Sequence, residues 1–361
     1  MTKLRTLSFI ALLLLVSCSS RTDGPILPTA LGFGDIKTIF LGTTRAMKSD
    51  GTFGFGRSEE LQMMRVGVSV PSERELGTIP DGRSRPDPRR HFVMTEREMY
   101  QNGGDFLGDV KDSFQSSTPD TREVTVFIHG YNNSFTDAAF RMAQLAQDLE
   151  LPGAFVSYAW PSRGNPLGYE YDRDSALFAR DGLERLLRML ASADNPGQVL
   201  VAHSMGSALL METLRQIEIA EPGWVGRNIT GVILIAPDLN PAVFRGQIGA
   251  FQTVPDPFVI MVSRKDRVLR LSARIRGDQE RLGNLQDSKA VSDLPVSIVD
   301  VSEFAEGNGN HFTAGSSPAL LQLFRRSADL DSEFLRGRGA RMGVDTGSAR
   351  TFVLGEGFEG R

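Results

Sequence analysis

The chain has 361 residues, 40% of them hydrophobic, enough to bury the core of one large domain. Its 40 Lys and Arg are interspersed with 44 Asp and Glu, for a formal net charge of −4. No basic stripe runs along it, which argues against nucleic acid as a partner, and no acidic tail suggests a solvating segment.

At the N-terminus, Lys3 and Arg5 precede an apolar run at residues 7–16, followed by Ser17, Cys18 and Ser19. A charged start, a short apolar centre and a small residue at the break make a secretory signal, and the run is too short to remain a spanning helix. Leu15-Val16-Ser17-Cys18 resembles the lipobox of bacterial lipoproteins. The resemblance implies that residues 1–18 are a lipoprotein signal, that Cys18 is lipidated, and that the protein is membrane-anchored in the cell envelope, facing the periplasm. Cys18 is the only cysteine, so no internal disulfide can form. Ser19 stands where an Asp would resemble inner-membrane retention, which favours the outer membrane. Residues 19–37 begin rich in Ser, Thr, Pro and Gly and are expected to form a flexible tether.

From residue 38 the pattern becomes strand-like, at 39–44 and again at 65–71, with a Pro-rich charged loop at 81–90. Strand and helix signals then alternate: strand 124–129, helix 135–149, strand 154–160, helix 175–190, strand 199–202, helix 207–219. Strands at 232–236, 258–262 and 296–301 complete the series. Such alternation predicts a mostly parallel sheet flanked by helices, with the strand C-termini on one edge where sites form. One domain over 38–330 is expected, and the Gly- and Arg-rich residues 331–361 are expected to be loose.

The sharpest chemical signal is Ala202-His203-Ser204-Met205-Gly206, lying directly between a predicted strand and helix. Small residues two before and two after the Ser allow a tight strand-to-helix turn that lifts its hydroxyl clear of the sheet. Upstream, His129-Gly130-Tyr131-Asn132-Asn133 ends an earlier strand. The N–H groups of Tyr131 and Met205 would there form an oxyanion hole. A Ser nucleophile needs a base, and the four histidines are His91, His129, His203 and His311. His203 adjoins the Ser and should point elsewhere, His129 lies in the oxyanion strand, and His91 precedes the sheet. His311, in a Gly-rich loop after the last core strand, is the base by elimination and chain order. The acid that orients it is Asp266, after strand 258–262, with Asp238, after the preceding strand, as the alternative.

These residues resemble a family of bacterial α/β hydrolases of unknown function. The resemblance spans roughly residues 40–312 and rests on Phe127-Ile128-His129-Gly130-Tyr131-Asn132, Arg141-Met142-Ala143-Gln144-Leu145 and Tyr158-Ala159-Trp160-Pro161-Ser162. It continues through the Ser204 motif, Ala236-Pro237-Asp238 and Arg281-Leu282-Gly283. It implies the α/β-hydrolase fold and a Ser204–Asp266–His311 triad, and no particular substrate. Residues 239–257 are too short for a large lid, so a small cap and an open cleft are expected. The chemistry expected is serine ester hydrolysis through an acyl-enzyme, on a small-molecule or lipid ester. No metal or organic cofactor is implied. Amide hydrolysis or acyl transfer by the same triad, or a non-catalytic binding lipoprotein, are the alternatives.

Overall fold

The computed structural model describes residues 24–82, 85–113, 122–192, 197–278, 280–305, 310–328, 341–342 and 350–353. The signal segment with Cys18, the first tether residues and most of the tail lie outside them. The strands are β1 Gly34–Met47, β2 Phe53–Pro71, β3 Val93–Met99, β4 Val124–Ile128, β5 Ala154–Ala159 and β6 Gln198–His203. After these come β7 Ile229–Ile235, β8 Phe258–Val262, β9 Ser297–Asp300, β10 Arg341–Met342 and β11 Arg350–Val353. The longer helices are α1 Gly103–Asp112, α2 Phe135–Asp148, α3 Tyr169–Ala191, α4 Met205–Ala220, α5 Pro241–Ile248 and α6 Arg267–Arg276.

All the described strands join one sheet, in the order β10-β11-β9-β8-β7-β6-β4-β5-β1-β2-β3. Pairing is parallel from β1 through β5, β4, β6, β7, β8 and β9 to β11. The central strands read as nearly unbroken apolar runs because helices cover both faces; all five residues of β4 are buried. On one face α3 and α4 supply Leu183, Leu186, Leu209 and Leu214 to the core, and on the other α2 supplies Phe135, Met142 and Leu145. The start of α2 is fixed by a capping box, in which Ser134 and Asp137 satisfy each other's backbone N–H groups. This is the mostly parallel, helix-flanked sheet expected from the alternating elements, in the α/β-hydrolase arrangement that the family resemblance implies.

Three features depart from the sequence-based expectation. β1 and β2 are much longer than residues 39–44 and 65–71, because they form an antiparallel ribbon that runs past the sheet edge. Only one side of that extension is covered, with Phe53 stacked on Phe135 at 4.8 Å, so its exposed charges and glycines masked the strand signal. The tether has ended by Gly24, whose N–H bonds Thr136 Oγ1 at 2.8 Å, and Leu27 N–H reaches the Met94 carbonyl at 2.8 Å. Within the tail, Arg350–Val353 pairs in parallel with β9, and Arg341–Met342 pairs with β11.

Between β7 and β8 the only helix is the eight-residue α5, the small cap that the short connection predicts. The parallel pairing brings the C-terminal ends of β4, β6, β7 and β8 together on one edge of the sheet.

Candidate active site

Ser204 sits between β6 and α4 with φ 53° and ψ −122°. Few non-glycine residues adopt that conformation, and surrounding bonds must hold it. Ser204 N–H donates to the Ile235 carbonyl at 3.0 Å, and Asp238 N–H donates to the Ser204 carbonyl at 3.1 Å. Strand and helix approach so closely that a Cβ on Gly206 would lie 2.3 Å from the His129 carbonyl oxygen. A Cβ on Gly130 would lie 3.0 Å from Ser204 Cβ. The small residues of both motifs are thus steric requirements of one turn.

His311 Nε2 lies 2.7 Å from Ser204 Oγ, and His311 Nδ1 lies 2.8 Å from Asp266 Oδ2. With a carboxylate accepting at Nδ1, the imidazole carries its proton there and leaves Nε2 free to accept the Ser hydroxyl. Asp266 is fully buried and also caps α6, its Oδ1 accepting the Leu269 N–H at 2.9 Å. One residue thus fixes both the helix start and the imidazole. Asp238, the alternative acid, is engaged elsewhere. Its carboxylate accepts from Arg281 Nε at 2.7 Å, Ser272 Oγ at 2.7 Å and Tyr169 OH at 2.6 Å, whereas His311 Nδ1 meets Asp266.

Met205 opens α4, so its N–H has no intrahelical partner. The Tyr131 N–H makes no hydrogen bond among the described residues, while its neighbours' N–H groups are drawn away from the cleft. Asn132 N–H donates to Asp172 Oδ2 at 3.0 Å and Asn133 N–H to Ser162 Oγ at 3.1 Å. The Met205 N–H, directly after Ser204, and the Tyr131 N–H are thus two backbone donors without a protein partner among the described residues.

Residues 109–327 match the family model described as "Alpha/beta hydrolase of unknown function (DUF900)". The chain belongs to this hydrolase family. No curated protein matches it in sequence. Among solved structures it is similar to a Pyrobaculum calidifontis esterase at 12% identity, over 92% of this chain and 93% of that one, with a TM-score of 0.37. Aspergillus fumigatus lipase B aligns at 13% identity over 74% of this chain and 67% of its own, with a TM-score of 0.38. A pyrethroid hydrolase from Sphingobium faniae aligns at 14% identity over 59% of this chain and 100% of its own, with a TM-score of 0.33. The family match and the elbow geometry, rather than these distant likenesses, identify the fold.

Two buried polar networks flank the Ser204 turn, and of their charged members only Asp238 was singled out from the sequence as a candidate, as the alternative acid. On the oxyanion side, Arg45 is buried in β1 and donates to the carbonyls of Asn133 at 2.8 Å, Ser162 at 3.0 Å and Gly54 at 3.1 Å. Asp172, fully buried in α3, accepts from Asn132 N–H, Ser162 Oγ and Arg163 N–H. Burial raises the Asp172 pKa, and these three donors with Arg45 pull it back toward ionisation. On the other side, buried Arg281 grips the Asp238 carboxylate and its carbonyl. Next to it, a Cβ on Gly283 would lie 2.4 Å from the Ala236 carbonyl carbon, so this turn packs directly under the elbow.

The other histidines are structural. His203 turns away from Ser204 and its Nε2–H donates to the His311 carbonyl at 3.1 Å, steadying the loop that carries the base. Burial holds the His203 pKa well below its ordinary value, with the nearby His311 adding to the effect. His129 stacks on Trp160 at 4.9 Å, and burial, aided by Arg45, pushes its pKa down to about 3. His91 accepts the Asp87 N–H in a surface turn.

Proposed function

We propose that this chain is a serine hydrolase that cleaves carboxylic esters through an acyl-enzyme. The observation that carries the reading is the unbroken chain from Ser204 Oγ to His311 to buried Asp266, at 2.7 and 2.8 Å. Ser204 gives its proton to His311 Nε2 as its oxygen attacks the ester carbonyl. The Tyr131 and Met205 N–H groups donate to the developing oxyanion, and Asp266 stabilises the imidazolium. His311 returns the proton to the departing alcohol, and a water activated in the same way releases the acid. The cap is a single short helix, which suits a substrate presented from an open side.

The charged start, short apolar run and Cys18 support an envelope protein, lipid-anchored through Cys18 and facing the periplasm, with the outer membrane favoured by Ser19. Metabolic labelling with a fatty acid, lost in Cys18→Ser, is the outcome expected of that anchor; unchanged labelling removes it.

The decisive experiment for the enzyme is fluorophosphonate labelling of wild type beside Ser204→Ala, His311→Ala, Asp266→Asn and Asp238→Asn. Labelling absent in Ser204→Ala, collapsed in His311→Ala and reduced more by Asp266→Asn than by Asp238→Asn supports the mechanism. A folded wild-type protein that takes no label is a binding scaffold instead.

A further inference from the structure

The helix that follows the triad acid turns apolar residues to solvent. In α6, Leu269, Ser272 and Ala273 are buried against the fold, whereas Val268, Leu271 and Ile275 are 39%, 58% and 58% exposed. Spaced three and four residues apart, these three form one stripe. Arg267, Arg270 and Arg274 repeat the same spacing beside it and are also exposed. Every charged residue from Arg264 to Arg276 is cationic except Asp266, which is buried in the triad. Arg264 pairs with Asp300 at 3.0 Å, while Lys265, Arg267, Arg270 and Arg274 have no acidic partner among the described residues.

Other apolar side chains project from the same edge of the sheet. Leu167, 82% exposed, tips the loop between β5 and α3, and Val243 is 50% exposed on α5. Both lie in segments that leave the C-terminal end of a parallel strand, the edge that carries Ser204. The Tyr169 hydroxyl, 2.8 Å from Ser272 Oγ, ties the Leu167 loop to α6. Exposed apolar groups rimmed by cations mark an interaction surface.

We propose that this edge docks on an anionic lipid bilayer, with Val268, Leu271, Ile275 and Leu167 entering the headgroup layer and the α6 arginines meeting lipid phosphates. Charge complementarity selects the occupant. A cationic row beside an apolar stripe fits a surface that is anionic outside and apolar beneath. The proposal goes beyond the hydrolytic reading and stands without it, since docking needs no turnover at Ser204. Where both hold, the cleft opens onto the bilayer and its substrate is an ester lipid.

The test is deuterium exchange at residues 267–276 of the full chain on vesicles of phosphatidylglycerol with phosphatidylcholine, against phosphatidylcholine alone. An N-terminal anchor acts on both vesicle types, so the difference between them isolates this face. Exchange on anionic vesicles should slow roughly tenfold and recover in high salt. The protection should vanish in Arg267→Gln/Arg270→Gln/Arg274→Gln, fall in Leu271→Ser/Ile275→Ser and persist in Ser204→Ala. Equal exchange on the two vesicle types in the wild type overturns the proposal even if a variant misfolds. Protection that grows with protein concentration without vesicles overturns it in favour of a second copy of the chain.

Discussion

Ser204 is held at φ 53° by the bonds on either side of it, and such a residue stores strain of about 1–3 kcal/mol. Glycine relieves that strain while adding about 0.5–1 kcal/mol of unfolded-chain entropy. Ser204→Gly should therefore exceed Ser204→Ala in stability by about 1 kcal/mol in urea unfolding. An equal or lower midpoint would mean that the elbow is relaxed. His129 gives a second residue-scale expectation. The unfolded chain takes up a proton near pH 6.5, whereas the folded chain resists it down to about pH 3. Stability is therefore full above about pH 6.5 and falls as pH drops through that value, by up to about 1.4 kcal/mol per unit from this group. His129→Gln should flatten the urea midpoint between pH 7 and pH 5; an unchanged slope would assign acid sensitivity elsewhere.

At the scale of elements, the turn at Tyr131–Asn133 is held by partners from β1, from the loop after β5 and from α3. Arg45 and Asp172 hold the Asn133 carbonyl and the Asn132 N–H, and Ser162 holds the Asn133 N–H, beside a Tyr131 N–H that has no partner among the described residues. Asp172→Asn keeps the shape but loses the charge that organises three donors. On the proposed mechanism it should lower kcat by about a hundredfold with little change in KM, comparable to losing one oxyanion donor. A change confined to KM would assign Asp172 to substrate binding instead. The Asp238 network makes the opposite prediction. Asp238→Ala removes one of the two carboxylates on buried Arg281, leaving Asp278, and should cost about 1–3 kcal/mol of stability for the donors left unpaired. Its folded fraction should still label with fluorophosphonate at nearly the wild-type rate. Asp172 was legible in principle, because it continues the buried face of α3 through Ser175, Ala179 and Leu183. The charged run at 170–174 obscured that face, and the sequence-based helix began at residue 175 instead of Tyr169.

For the whole molecule, the sequence by itself determined the parallel sheet, because strands buried on both faces must be continuous apolar runs and their crossovers must show helical spacing. It also determined the elbow, since the small residues around Ser204 are demanded by local sterics, and it marked His311 because few histidines could serve. Tertiary structure alone decided which carboxylate faces His311. Asp266 and Asp238 both follow core strands, and only the packing of α6 and Arg281 separates a carboxylate facing an imidazole from one neutralised by a guanidinium. The roles of Arg45 and Asp172 were likewise decided in three dimensions, because nothing within β1 or α3 reveals the loop that their side chains reach. The ribbon extension of β1 and β2 forms only by pairing, so one-sided exposure hid it. The apolar stripe of α6 is plain in sequence, but whether it faced the core or water depended on which side of that helix the sheet occupied.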